Sequence, residues 1–208
     1  MSNNALDSKS SKEVPRHLRI VRPSPWVERW THLIRPGGAV LDLAAGGGRH
    51  GRMFLARGHR VVFVDRTIEP LADLADTNDA EVIAADLEDG SPWPLGERTF
   101  DAVIVVNYLH RELFPLILSA LASGGVLIYE TFARGNEDYA RPRNPDHLLK
   151  SGELLEMVSG KLQVVGYEHG LVEGGDITGV KQRLCAVNDF SLSQRNDGDP
   201  PAHSISRV

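Results

Sequence analysis

Short apolar runs recur along this chain at intervals that suit alternating strands and helices. The first, residues 39–43 (AVLDL), is followed almost at once by Gly46, Gly47 and Gly48. Residues 49–57 then have helix-forming composition and can turn Met53, Phe54 and Ala56 toward a sheet. Gly58 stops that helix, and a second run at 61–64 (VVFV) ends in Asp65. The pattern is strand, tight turn, helix, strand. Glycine lacks a Cβ, so the backbone can bend sharply there and approach a ligand closely. Such a turn at the carboxyl end of a parallel strand is where nucleotide-type cofactors bind.

The rest of the chain continues the alternation. A helix is predicted over 23–36, capped by Ser24 with Pro25 in its first turn, and with Trp26, Trp30, Leu33 and Ile34 on one face that packs on the sheet. A short helix at 69–75 and a strand at 81–85 follow, then a loop over 86–99 containing Pro92, Trp93 and Pro94. Residues 100–106 are nearly all apolar after Asp101, as a central parallel strand requires. A helix at 112–121 accommodates Pro115 only in its first turn, and 125–129 is a fifth strand. Residues 133–146 (ARGNEDYARPRNPD) break the pattern. Asp146 is expected to cap a helix through 154–158, with Gly152 weakening its middle. The last strands are 162–168 and 182–187. The linker around LVEGGDITG is too short for a crossover helix, so those two should pair antiparallel.

Composition narrows the class. The 208 residues suit one domain over 14–188, between a disordered N-terminal tail (1–13) and a flexible C-terminal tail (189–208), both polar. A formal net charge of −5 argues against a generic nucleic-acid or membrane-surface binder. The single cysteine, Cys185, excludes an internal disulfide and fits a reducing compartment. No run is long enough to span a bilayer, and residues 1–16 lack the apolar core of a secretion signal, so the expectation is a cytoplasmic protein. Its expected partner is a small-molecule substrate, with no nucleic acid and no membrane, as a monomer or homodimer.

Which cofactor binds turns on the acids. Gly46, Gly48 and Gly51 satisfy the dinucleotide spacing, with Asp65 about 20 residues further on. Asp42, however, ends the first strand where its charge would oppose a pyrophosphate, whereas near an amino group it is useful. A further acid, Asp86, follows the third run. Taken together, Asp42-Leu43-Ala44-Ala45-Gly46-Gly47-Gly48, Asp65 and Asp86 resemble the signature of class I S-adenosylmethionine-dependent methyltransferases. The resemblance covers residues 26–187 in order of elements and 40–101 at the level of motifs. It implies an α/β fold: a single Rossmann-like domain with a seven-stranded, mostly parallel sheet, one antiparallel strand near the C-terminus and helices on both faces. It also implies S-adenosyl-L-methionine as cofactor and no metal.

Carried onto this chain, the resemblance lays Ala44, Ala45, Gly46 and Gly48 against the methionine part of the cofactor, with Asp42 beneath them holding its amino group. Asp65 would bind the ribose diol, with Arg66 beside it, and a carboxylate suits that task because it can accept two hydrogen bonds. Asp86 would accept from the adenine amine and Leu87 would contact the ring through its backbone N–H. Ala44 stands where the family has its first motif glycine, and its methyl fits if φ stays negative.

Acceptor contacts are expected at the ends of the fourth and fifth strands. Asn107, counted among the cofactor contacts, lies beside the expected methyl position and is followed by Tyr108 as a substrate contact, Leu109 and His110, a run unlike the paired prolines of nucleobase amino-methylases. His110 is the candidate base or substrate contact, with a helix-start surface histidine as the alternative. Glu130 and Thr131 could line the same pocket or serve as structural hydrogen bonders. Arg134, Tyr139, Arg141 and Arg143 form the candidate specificity loop, with Tyr139 a second catalytic candidate; the plain alternative is a solvated surface loop. The DLAAGGGRHG turn, the short length and this loop also resemble the bacterial tellurite-resistance branch, which implies a small thiol, oxyanion or other anionic acceptor. Arg16, Arg19 and Arg22 could fold over the site as a lid. Three rival readings stand beside methyl transfer to a small molecule: an NAD(P)-dependent oxidoreductase, a nucleic-acid methylase and a non-catalytic S-adenosylmethionine-binding protein.

Overall fold

The strand β1 (Ala39–Leu43) lies inside a sheet and is covered on both sides, which is why Val40, Leu41 and Leu43 have no exposed surface. The computed structural model describes residues 20–173 and 177–205. The tail over 1–13, Arg16, Arg19 and part of the linker at 174–176 therefore lie outside the described residues. Seven strands form one sheet in the order β3-β2-β1-β4-β5-β7-β6. They are β1, β2 (Arg60–Asp65), β3 (Ala80–Ala84), β4 (Phe100–Val106), β5 (Leu121–Phe132), β6 (Gln163–Val172) and β7 (Gly179–Val187). β1 to β5 are parallel. β7 runs antiparallel to both of its neighbours, β5 and β6, and so is the one reversed strand. The predicted architecture holds.

Helices cover both faces. On one, α1 (Pro25–Trp30), α2 (Arg49–Leu55) and a 3-10 turn (Glu69–Leu74) set Trp26, Trp30, Phe54 and Leu71 against Val40, Phe63, Ile104, Ile128 and Cys185. On the other, α3 (Phe114–Ser119) and α4 (Glu153–Val158) set Phe114, Ile117, Leu154 and Val158 against Leu41, Val103, Leu127 and Leu184. Strand alternation sorts these residues: even positions of β1 face the first layer and odd positions the second. No helix among the described residues is long and apolar enough to cross a membrane.

Several boundaries differ from expectation. The helix expected over 23–36 ends at Trp30 and gives way to a 3-10 turn, Thr31–Leu33; Thr31 Oγ1 donates to the Glu28 carbonyl there and competes with the helical ladder. Ser24 does cap it, accepting from Trp26 N–H at 3.2 Å. Pro115 falls in the first turn of α3, as its missing N–H demands. Gly152 is not in the middle of a helix. It is the residue before α4, at φ 76°, a left-handed conformation that suits glycine. Asp146 does not cap α4 either, because it sits in a separate turn, Pro145–His147, capped by Asn144. The sixth and seventh strands run on to Val172 and back to Gly179, making a longer hairpin than the apolar pattern alone indicated. At the chain's far end His203 Nε2 meets Asp189 Oδ2 at 2.5 Å, and His32 Nε2 meets the Ser204 carbonyl at 3.0 Å.

α1 is fixed by its tryptophans. Trp26 and Trp30 meet edge to face at 5.4 Å, and Trp26 Nε1 donates to the Leu184 carbonyl at 3.2 Å. Trp30 is pressed onto β6 where a Cβ on Gly166 would come within 2.3 Å of its ring. Gly166→Ala should therefore displace Trp30 and destabilise the fold by roughly 1–3 kcal/mol in urea unfolding. An unchanged midpoint would show that α1 moves freely on the sheet.

Candidate functional site

The glycine turn is held from both ends by carboxylates. Asp65 Oδ2, at the end of β2, accepts from Gly46 N–H at 2.7 Å, and Asp42 Oδ2, on β1, accepts from Gly51 N–H at 2.8 Å. Ala45 N–H reaches the Val64 carbonyl at 3.1 Å and ties the turn to β2. Phe63 fills the space beneath. A Cβ at Gly51 would lie 2.1 Å from its ring and one at Gly48 would lie 2.6 Å from Leu71 and 3.0 Å from Phe63. The Gly48-x-x-Gly51 spacing thus answers to close packing of α2 on β2. Ala44 corrects an expectation: its φ is +53°, in the left-handed region, not negative. A methyl there costs roughly 1–2 kcal/mol, which the flanking hydrogen bonds hold in place.

Asp65 is half-buried, and its Oδ1 accepts from Thr67 N–H at 2.9 Å. Arg66 is exposed beside it. Asp86 is exposed and closes a local turn by accepting from Glu88 N–H at 3.0 Å. Asp86, Leu87, Trp93 and Leu113 are among the residues around a cavity of about 260 Å³ that none of the glycine-turn residues lines. The strand order sets Asp86, Asp65 and the glycine turn at the carboxyl ends of three adjacent strands.

At the end of β4, Asn107 adopts φ +57°, tolerable for asparagine, and its N–H donates to the Glu130 carbonyl at 2.7 Å. Tyr108 is half-buried, and its hydroxyl is pushed up by burial and by Glu88. Tyr129 Oη donates to the Tyr108 carbonyl at 2.9 Å. His110 is half-buried and precedes a 3-10 turn (Arg111–Leu113), with no side-chain cap to it. Thr131 is buried on the α3 side of β5.

Glu130 is buried at the centre of a charge cluster that the sequence reading missed. Its carboxylate accepts from the Ser24 hydroxyl and from Lys181 Nζ at 2.5 Å, and Arg183 Nε lies 3.7 Å away. Burial pushes this carboxyl up, but Lys181, Arg183 and Ser24 more than reverse that and hold it below its ordinary range. Lys181, 5% exposed, also donates to Asn107 Oδ1 at 2.9 Å. The neighbouring His50, in the first turn of α2, is buried, and its Nε2 has no partner among the described residues. Burial drives its imidazole down to about 3, with Arg49 and Lys181 adding to the effect and Glu130 opposing it. The available signal was strand alternation: Lys181 and Arg183 share a face with Cys185 and Val187, so β7 carries two cations on a buried side.

The loop at 133–146 is braced from inside. Asn136, fully buried, donates to the carbonyls of Pro142 at 2.9 Å and Ala140 at 3.3 Å. Arg111, another residue the sequence reading passed over, pairs with Glu153 at 2.5 Å and donates to the carbonyls of Asp146 and Leu148 at 2.6 and 3.0 Å. Arg134, Tyr139, Arg141 and Arg143 are exposed. Arg22, of the expected lid, offers its carbonyl to Arg49 at 2.7 Å, so the chain before α1 lies against the start of α2.

Two buried groups of opposite pH dependence flank the turn. Burial raises the Asp42 carboxyl from 3.8 to about 7, against the Gly51 N–H and Arg49. Ionised Asp42 therefore penalises the folded state increasingly as pH rises through that window, whereas His50 penalises it as pH falls from 6.5 toward 3. Relative to wild type, Asp42→Asn should gain stability as pH rises from about 4 to about 7, by roughly 2–4 kcal/mol at the plateau. His50→Gln should gain as pH falls below about 6. Parallel shifts of both variants at every pH, read by thermal melts, would refute the assignment.

Residues 40–125 match the methyltransferase domain family. No curated protein matches the chain in sequence. Among solved structures, TehB from Haemophilus influenzae superposes with a TM-score of 0.67 at 17% identity, covering 82% of this chain and 64% of that protein, so the chain spans under two thirds of its length. A TehB-like S-adenosylmethionine-dependent methyltransferase from Corynebacterium glutamicum gives 0.54 at 18% identity, covering 78% and 86%. The 1,6-didemethyltoxoflavin-N1-methyltransferase of Burkholderia thailandensis, which holds its substrate and S-adenosylhomocysteine, gives 0.58 at 21% identity, covering 78% and 76%. Residues 40–125 thus resemble a methyltransferase domain, and the fold of the chain is shared with S-adenosylmethionine-dependent methyltransferases.

Proposed function

We propose that this protein binds S-adenosyl-L-methionine and transfers its methyl group to a small-molecule acceptor. The observation that carries the reading is the Asp65 carboxylate, fixed by one main-chain N–H at each oxygen, at the lip of the glycine turn. A carboxylate has about four acceptor positions, so each oxygen keeps capacity for one hydroxyl of a vicinal diol. The donor set fits the cofactor: Asp65 for the ribose, the Ala44–Gly48 backbone and Asp42 for the methionine end, Asp86 and Leu87 for the base. The reversed β7 between β5 and β6 departs from the all-parallel order of a dinucleotide-binding sheet, which counts against the oxidoreductase reading.

When bound, the cofactor supplies an activated methyl on a sulfonium centre. The protein's part is to align the acceptor and exclude water. Asn107, at the end of β4, stands beside the reacting position, with Tyr108 and His110 next along the chain. A general base is needed only for an acceptor that arrives protonated, and His110 is the group available for it. Glu130 acts through Lys181, since its carboxylate is taken by protein groups. Exposed Arg134, Arg141 and Arg143 can recruit an anionic acceptor to the mouth of the cleft. The protein works without nucleic acid or membrane, in the cytoplasm.

Calorimetric titration tests the reading. S-adenosylhomocysteine should bind and NADH should not; the reverse would overturn it. Asp65→Ala should weaken S-adenosylhomocysteine by roughly 2 kcal/mol, about thirtyfold, because two diol hydrogen bonds vanish. In a separate assay, Arg141→Ala with Arg143→Ala should raise the acceptor KM while cofactor affinity stays level. An equal loss of both would assign the loop to the cofactor instead.

A further inference from the structure

Resting on the methyl-transfer reading, the geometry points to Lys181 as a positioning residue that fixes the Asn107 amide and so selects acceptors that arrive as anions. An ammonium has only donors, so Asn107 must offer it the carbonyl oxygen, and it does, at 2.9 Å. The amide nitrogen is thereby turned away from Lys181, on a half-buried residue, with two N–H donors to present. The backbone leaves little slack: Asn107 is held at φ +57° by its N–H bond to the Glu130 carbonyl, and Glu130 also holds Lys181 through its carboxylate. Both contacts that place this amide therefore run through one residue of β5.

The surroundings favour negative charge. Lys181 and Arg183 lie on the same sheet face as Glu130, their one buried counterion, and Arg49 stands at the start of α2. His50, neutral and buried with an Nε2 that has no partner among the described residues, feels the charges of both Glu130 and Lys181. An uncompensated polar nitrogen in such a place is a point of attachment for a polar ligand or its bound water. A buried ion pair of this sort stabilises a fold little against apolar substitutes, so its effect is to be sought in orientation. An anionic acceptor donates its own electron pair to the methyl carbon, the carbon–sulfur pair returns to sulfur, and no proton is released. That chemistry needs hydrogen-bond donors around the acceptor and no base, which is what Asn107 and Lys181 supply.

The test uses the full chain saturated with S-adenosylhomocysteine and titrated calorimetrically with selenite, with thiophenol ionised at pH 8, and with neutral aniline. Wild type should bind at least one of the two anions and not aniline. Lys181→Met should weaken that anion tenfold or more while S-adenosylhomocysteine affinity stays within threefold. Because Lys181→Met leaves Glu130 buried without a counterion, the double variant Lys181→Met/Glu130→Gln, which removes both charges, should recover thermal stability yet still fail to bind the anion. Anion binding at wild-type strength in either variant, or none by wild type, overturns the inference. Failure of wild type to bind S-adenosylhomocysteine removes the proposed function beneath it, a result distinct from the others.

Discussion

The structure depends on two carboxylates that grip one turn. Asp42 and Asp65 project from neighbouring parallel strands and take N–H groups at opposite ends of the segment from Gly46 to Gly51. Just before the first anchor the backbone tolerates a left-handed alanine at position 44, and between the two it lies directly on Phe63. A conformation that local preference opposes is stabilised by its two ends. The arrangement also links the site to the core, because the ring supporting the glycines belongs to the same strand as one of the acids.

A second group of charges stands at the other half of the sheet, where β4, β5 and β7 end or begin. Glu130 sits opposite Arg183 in the strand register, and Lys181 opposite Phe132, whose ring its ammonium approaches to 5.0 Å. Desolvating these groups is unfavourable, and what offsets it is mutual pairing together with hydrogen bonds from Ser24 and to Asn107. Through Ser24 the cluster also reaches the cap of α1, so the helix that roofs this face and the strand ends beneath it share one network. The two halves of the sheet's edge are thus built differently: main-chain donors on carboxylates at one side, buried ion pairs at the other.

Much of this was legible in the sequence. The central parallel strands announced themselves as apolar runs because both of their faces are buried, and the acids at strand ends stood out against those runs. The antiparallel closing hairpin followed from a linker too short for a crossover. Turn conformations were harder. Gly152 looked like a weak point within a helix and is its start, since a glycine's φ is not written in its neighbours. Ala44 looked able to keep a negative φ, and only the hydrogen bonds from β2 reveal why it does not. Lys181, His50 and the bond from Ser24 to Glu130 escaped for a different reason: these residues come from three elements far apart in the chain and meet only when the sheet order brings them together.

The reversed seventh strand has a further consequence for how the molecule is made. Chains emerge from the ribosome N-terminus first, and β1 to β4, with the whole glycine turn, can assemble while β7 is still unsynthesised. Until that strand inserts between β5 and β6, Glu130 has neither Lys181 nor Arg183 beside it, and Asn107 lacks the cation that orients it. The nascent protein therefore matures asymmetrically, its glycine-turn half complete before the half that holds the buried ion pairs.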